Sequence, residues 1–362
     1  MTKPRLPTTP TRKTVRPPRL SDGWWVLVLA ATVILVLLVW ALAPAVLRMS
    51  ERPPGDGENP ASYRFSLEDM RLPNAAPLHT ALLYRDMVPV LDAPPAIIDA
   101  DAASVEVPRK GPFLTTNDLV IGVERAGEAR AYPLLLLNVH EALHDEFHGP
   151  LLVTWHWPSA TTAVYDRTLD GGARQFGISG LVAAGGQLLY LRNTDGTVGG
   201  EPLIAQFTGE SVTGPVLSLR PVPHIVTTWG DWRERHPDTS VVAGDPAMRR
   251  RYADGKPDTY FRSSGLLFDV PVPKDGPAAK SPAVELAFKG HTTVVTANDL
   301  AAHGGELMLT LGDSPTTLTL VDDGRRIAVS APPEVVVRRG LWHLVQAFMD
   351  RNADHPPTRL KR

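Results

Sequence analysis

The sequence predicts a β-rich α+β fold, arranged as two pseudo-repeated β-rich halves with a few short helices and preceded by one transmembrane helix. Three observations carry this. Near the N-terminus lies a long uncharged run, Trp24 to Ala43. From Leu119 onward, short strand-like segments alternate with turn residues, and from Ala283 onward a similar series recurs in the same order.

Residues 1–23 are rich in Pro, Thr and Arg and read as a disordered basic tail. Residues 24–46 read as the anchor. The 20 residues Trp24–Ala43 contain no charge and only Thr32 as a polar member. As a helix they span ~30 Å, the thickness of a bilayer's hydrocarbon core. Trp24, Trp25 and Trp40 lie near the two ends, where indoles favour the interface. Ala41-Leu42-Ala43 resembles a signal-peptide cleavage site, but Pro44 follows it, and the apolar run exceeds the ~7–15 residues of a signal core. An uncleaved anchor is the better reading. Lys3, Arg5, Arg12, Lys13, Arg16 and Arg19 precede the run against a single acid, Asp22, which predicts a cytoplasmic N-terminus and an exported remainder.

With residues 1–23 set aside, 37 − 6 = 31 basic and 39 − 1 = 38 acidic residues leave a net charge of −7. That balance argues against nucleic acid as a partner. The chain has no cysteine, which excludes a lipoprotein anchor, disulfides and thiolate metal sites. Residues 47–78 are broken by Pro53, Pro54, Gly55, Gly57, Pro60 and Pro73 and read as a linker. The folded part divides into a first β-rich repeat, 79–275, and a smaller second repeat with a C-terminal helix, 276–362.

Strands are expected at 119–124 and 128–132 around Ala126-Gly127, then at 151–155, 161–166 and 174–179. One helix is expected from Leu134 to Phe147, stopping at Gly149-Pro150, and another from an N-cap at Thr228 to His236-Pro237. The repeat pairs Thr161–Asp166 with Thr316–Asp322, and Arg174–Ser179 with Arg325–Ser330. Each copy ends in an aromatic helix leading to His236-Pro237-Asp238-Thr239 or His355-Pro356-Pro357-Thr358.

The sharpest chemical motif is His140-Glu141-Ala142-Leu143-His144, with His148 four residues on. On a helix, two histidines four apart share a face and could hold one zinc, with the glutamate as general base on a bound water. The same helical geometry makes Val139, Leu143 and Phe147 an apolar stripe and turns Glu141 and Asp145 toward solvent. His140 and His148 are ~12 Å apart along the axis, so all three cannot share an ion.

The order of several short elements resembles the bacterial domain-of-unknown-function family numbered 3179. These are Arg85-Asp86 to Asp92, Val120-Ile121-Gly122-Val123, Gly127 to Leu134, Asn138 with His140-Glu141, and Asp166-Arg167. Phe176 to Leu181, Gln206-x-Thr208-Gly209-Glu210 and Thr227-Thr228-Trp229-x-x-Trp232 continue the series. The resemblance is good from about Arg85 to Phe268 and weak beyond. It implies a fold and an exported location rather than a reaction. Where members of that family read Thr-Tyr-Cys-Pro-Leu-Cys-Gly, this chain reads Thr154-Trp155-His156-Trp157-Pro158-Ser159-Ala160. The thiol chemistry of that element is lost, though His156 could still ligate a metal.

These readings leave a membrane-anchored extracytoplasmic protein that binds a metal, a small ligand or an envelope partner, not nucleic acid. The candidate metal ligands are His140, His144 and His156, for zinc or copper. The candidate pocket residues are Arg130, Trp155, Trp157, Ser159 and Asp166. A buried ion pair serves Arg130 and Asp166 as well as a substrate clamp does. The alternative is a zinc-dependent hydrolase with Glu141 as its catalytic base. In the cell, the chain is expected in the bacterial cytoplasmic membrane, single-pass, with its N-terminus inside.

Overall fold

The computed structural model describes residues 24–50, 53–73, 76–105, 113–254, 257–349 and 358–359; of residues 41–50, 254 and 358–359 it describes the backbone alone. The chain separates into two compact units, Met1–Arg52 and Pro53–Arg362. In the first unit the described element is helix α1, Trp24–Ser50, uniformly apolar through Trp40 except for Thr32. The Thr32 hydroxyl is satisfied by the Val28 carbonyl one turn back, 2.8 Å away. Among the described side chains no helical stretch is by itself long and apolar enough to cross a membrane, while the helix backbone runs on to Ser50.

The second unit opens with β1 (Leu78–Thr80), β2 (Ala96–Asp99) and α2 (Ala100–Ser104). The first repeat follows as β3 (Leu119–Arg125), β4 (Glu128–Pro133), α3 (Leu134–His140), β5 (Ala142–Glu146), β6 (Pro150–His156) and β7 (Thr161–Asp166). An insertion comes next: β8 (Thr168–Leu169), β9 (Gly172–Ala173), β10 (Phe176–Ala183), β11 (Gly186–Leu191) and β12 (Leu203–Ala205). The repeat resumes with β13 (Arg220–Pro221), β14 (Ile225–Thr228), α4 (Trp229–Arg235) and β15 (Ser240–Ala243), and two short helices follow, α5 (Arg249–Asp254) and α6 (Asp258–Arg262). The second repeat is β16 (Pro282–Phe288), β17 (His291–Thr296), α7 (Ala297–Ala302), β18 (Glu306–Leu311), β19 (Ser314–Val321), β20 (Arg326–Ser330), β21 (Val336–Leu341), α8 (Trp342–Ala347) and β22 (Thr358–Arg359).

The two repeats share one topology. In the first, β3 pairs antiparallel with both β4 and β14, and β4 pairs parallel with β15. In the second, β16 pairs antiparallel with both β17 and β21, and β17 pairs parallel with β22. Each hairpin leads into a short helix and then a three-strand meander, β5–β6–β7 or β18–β19–β20. The fold is thus β-rich, with several sheets and few short helices. The strand matching expected from sequence is displaced by one: Ser314–Val321 occupies the middle of its meander, opposite β6 rather than β7. Phe176–Ala183 belongs to the insertion, which has no counterpart in the second repeat. The expected match at His355-Pro356-Pro357 lies outside the described residues.

Two expectations change. The helix expected over 134–147 ends at His140, where Glu141 adopts φ 58° and donates its N–H to the Leu137 carbonyl. The next five residues form β5, paired with β6 from Ala142↔Thr154 to Glu146↔Pro150. Leu143 and Phe147 are four apart, a spacing that fits one face of a strand as well as of a helix, and sheet pairing decides between them. Of the segment expected as linker, Pro53–Pro73 carries Tyr63 and Phe65 into the core against Leu181, Tyr190 and Leu203.

Sheet β13–β7–β6–β5 lies between two cores. Leu143, Leu151, Val153 and Trp155 face α3, whereas Ala142, Leu152 and Ala163 face Phe176, Ile178 and Leu189 of the insertion. The other face of the insertion sheet, through Leu188 and Tyr190, packs on α8 through Trp342, Leu344 and Phe348. The insertion therefore lies between β6 of the first repeat and α8 of the second.

Candidate functional site

Strand alternation sends the side chain of His156 to the insertion side of β6, together with Thr154 and opposite to Trp155. There it is 4 % exposed, and among the described residues neither ring nitrogen has a hydrogen-bond partner. Its Nδ1 stands 3.6 Å from Oε2 of Glu141. The left-handed backbone at Glu141 turns the chain from α3 into β5, and the Glu141 carbonyl accepts the Trp155 N–H at 2.9 Å. A non-glycine residue in this region carries a backbone cost of about 1 kcal/mol or more, so position 141 holds a buried carboxylate at a strained corner.

Two glutamines complete the cluster. Gln187 on β11 donates its Nε2–H to Oε2 of Glu141. Gln206, just after β12, donates from Nε2 to Thr154 Oγ1 at 2.9 Å and to the Thr161 carbonyl at 3.1 Å. A carboxylate and a carbonyl can only accept, so the amide orientations are fixed and both Oε1 atoms face away from these bonds. Both Oε1 atoms are buried without a partner. Buried polar atoms are nearly always paired, yet here four atoms on three side chains are not.

The second repeat adds His343, at the start of α8. Its Nδ1 lies 3.1 Å from the Ala279 carbonyl, which fixes Nδ1 as the protonated nitrogen and leaves Nε2 with a free lone pair. Burial, opposed by the Ala279 hydrogen bond and aided by the nearby Lys280 charge, pushes His343 down to about 4. The neutral ring is therefore the form at neutral pH. A Cβ on Gly185, φ +74°, would come within 3.1 Å of His343 Nε2, so glycine leaves the ring its room. Glu141, two glutamine oxygens and imidazole lone pairs make a surface rich in acceptors.

The other motif histidines are engaged elsewhere. His140 Nδ1 meets the Pro89 carbonyl at 2.9 Å and Nε2 meets the Tyr252 hydroxyl at 3.1 Å. His144 Nε2 accepts the Phe176 N–H at 3.0 Å, and Nδ1 faces Asp92 at 3.2 Å. His144 pairs with Leu152, four residues or about 13 Å along β6 from His156. His148 sits in the β5–β6 turn, 3.1 Å from Glu128. His140, His144 and His156 therefore do not converge, and the zinc-protease helix on which the hydrolase alternative rests does not form. Glu141 and Asp145, expected in solvent, are buried. Among the described residues no three His, Asp or Glu are gathered to hold a metal ion.

Of the expected pocket residues, Ser159 lies beside the cluster, its Oγ bonding Thr161 Oγ1 at 2.8 Å. Trp157 packs against the core on the α3 side and edge-on against Tyr260. Trp155 is on the α3 side too, bonded to Asn138 at 2.8 Å. Arg130 pairs with Asp145 at 2.8 Å and covers Phe147. Asp166, at the far end of β7, pairs with Arg220. Both are held in ion pairs.

A family model described as Protein of unknown function (DUF3179) matches residues 85–353. The chain belongs to this family. The match reaches well beyond Phe268, so the DUF3179 unit takes in most of the second repeat as well as the first. No curated protein and no solved structure matches the chain. Within the DUF3179 unit, Gln187 and His343 are the site residues that motif reading missed. Their signal is faint: each is a lone polar side chain in an apolar run, Gly186-Gln187-Leu188-Leu189 and Leu341-Trp342-His343-Leu344. Gln206 was noted as part of a motif but without a role.

Proposed function

We propose that this DUF3179 protein is anchored in the bacterial cytoplasmic membrane by α1 and binds a small cationic or hydrogen-bond-donating ligand outside it. The binding site is the cluster of Glu141, His156, Gln187, Gln206 and His343. The observation that carries the reading is the set of buried, partnerless atoms, His156 Nδ1 and Nε2, Gln187 Oε1 and Gln206 Oε1, gathered around a carboxylate. Leaving such groups unpaired costs about 1–3 kcal/mol each, and a ligand that donates to the two glutamine oxygens and to one imidazole nitrogen offsets most of that cost.

Anchoring is supported by the uncharged sequence Trp24–Ala43 on a helix that continues to Ser50, about 40 Å in length. The six basic residues before it support a cytoplasmic N-terminus. A binding role is favoured over hydrolysis because the helical zinc motif is split between α3 and β5. Native mass spectrometry of the full chain released from membranes tests the binding. A bound adduct is expected in the wild type and not in His156→Ala. An adduct of the same mass in both would count against the site.

A further inference from the structure

A cavity of about 410 Å³ lies between the two repeats, and none of the five residues of the His156 cluster lines it. The first repeat contributes Thr162, Val164 and His224, and the second contributes Val329, Val337 and Arg339. Its charges do not balance. Arg338 is matched by Glu285 at 2.6 Å, and neighbouring Arg326 by Asp322 at 2.7 Å. Glu124, on the cavity wall, lies 3.4 Å from His236 with its side chain largely in solvent. Among the described residues the Arg339 side chain makes no hydrogen bond or ion pair, and its Nη1 is buried without a partner. A guanidinium in that position is expensive unless an anion meets it.

His224 cannot serve as that anion's second cation. Its Nδ1 lies 3.1 Å from the Val222 carbonyl and its Nε2 3.3 Å from Thr162 Oγ1, which fit a neutral ring donating from Nδ1 and accepting from the hydroxyl. Burial and the Arg339 charge push it down to about 3. Burial and Arg326 push Arg339 itself down to about 10, so it still carries its charge at neutral pH. The remaining wall is apolar.

We propose that this cavity binds a small organic anion, its carboxylate or phosphate head on Arg339 and its apolar body against Val164, Val329 and Val337. A volume of this size suits a single-ring or short-chain molecule. Guanidinium recognises both head groups by the same paired hydrogen bonds.

The test is calorimetric titration of the full chain in non-ionic detergent with benzoate, phenyl phosphate, inorganic phosphate and neutral benzamide. Saturable binding of benzoate or phenyl phosphate is expected, and the stronger of the two identifies the head group. Arg339→Gln should weaken it by about tenfold or more, as loss of a charge-assisted bond requires. Should that variant misfold, the wild type still reports through NMR at neutral pH, where the ring signals of His224, beside Arg339 in the cavity wall, should shift when the anion binds. Binding of benzamide as tight as benzoate, inorganic phosphate binding as tight as phenyl phosphate, no saturable binding, or an unmoved His224 would each overturn the proposal.

Discussion

Gln187 of the insertion donates its side-chain N–H to the carboxylate of Glu141, the residue that turns the first repeat's helix α3 into strand β5. This bond ties an element without a counterpart in the second repeat to a strained corner of the first. It also fixes which way the Gln187 oxygen faces. Glu141 is thus held by one glutamine while standing 3.6 Å from His156.

The strain at Glu141 can be separated from its carboxylate. Glu141→Gly should relieve the φ 58° backbone by about 1 kcal/mol, roughly offsetting the lost Gln187 bond of similar size. Urea melts are expected to show a stability change within about 1 kcal/mol, with ligand binding abolished. Binding that survives in this variant would remove Glu141 from the site.

Acid should weaken the fold through its buried neutral histidines. Burial and the Arg167 charge, against the pull of Asp92, push His144 down to about 4, and His343 lies at about the same value. The unfolded chain takes up a proton near 6.5, so each ring's contribution is complete above that pH and is lost as pH falls from about 6.5 through about 4. Each contributes on the order of 3 kcal/mol. Melts between pH 7 and 4 should show this slope, and His144→Gln should reduce it. A flat profile in the wild type would contradict the assignment.

Arg85 and Glu201 form a buried bidentate pair, 2.7 and 3.1 Å, with the guanidinium over Phe65 and Tyr190. Burial alone would raise Glu201, but its bonds to Arg85 hold it below the usual carboxylate range. Arg85→Ala leaves that carboxylate buried alone and should cost about 3–5 kcal/mol. A double replacement by Leu at both positions should cost less than either single change, as a double-mutant cycle would show.

At Gly122 an added Cβ would lie 2.3 Å from the Trp232 ring. Gly122→Ala must therefore push α4 off β3 and should destabilise by about 1–3 kcal/mol. Limited proteolysis would locate the loosening between residues 225 and 243. Unchanged stability would mean that Trp232 has room to move.

Much of this architecture was legible in the sequence, and the reasons are local. The hairpins around Gly127 and Gly290 carry turn residues between alternating strands, and Thr228 caps α4 by accepting the Asp231 N–H as its sequence suggests. The repeat showed through the order of such signals. What failed was the segment 141–147, where Leu143 and Phe147 satisfy two periodicities and only pairing with β6 chooses between them. The site was half visible. His156 stood out as a departure from the family's cysteine, and Glu141 lay inside a motif. Gln187 and His343 come from elements 31 and 187 residues beyond His156, counted along the sequence, and only the packing of the insertion between β6 and α8 brings them near.

The proposed anchoring by α1 and the proposed export of the second unit are checked by fusions. Alkaline phosphatase fused after Arg362 should be active in intact bacterial cells, and green fluorescent protein at the same place should be dark. The opposite pair of results would place the C-terminus in the cytoplasm.

The central claim, that the His156 cluster binds a small cation or donor, is tested most directly by calorimetric titration of the full chain with Zn²⁺, Cu²⁺ and methylammonium, in wild type and His156→Ala. Saturable one-to-one binding of at least one of them in the wild type, absent from the variant while its melting curve is retained, is the expected result. No saturable binding of any of the three, or equal binding by the variant, would contradict it.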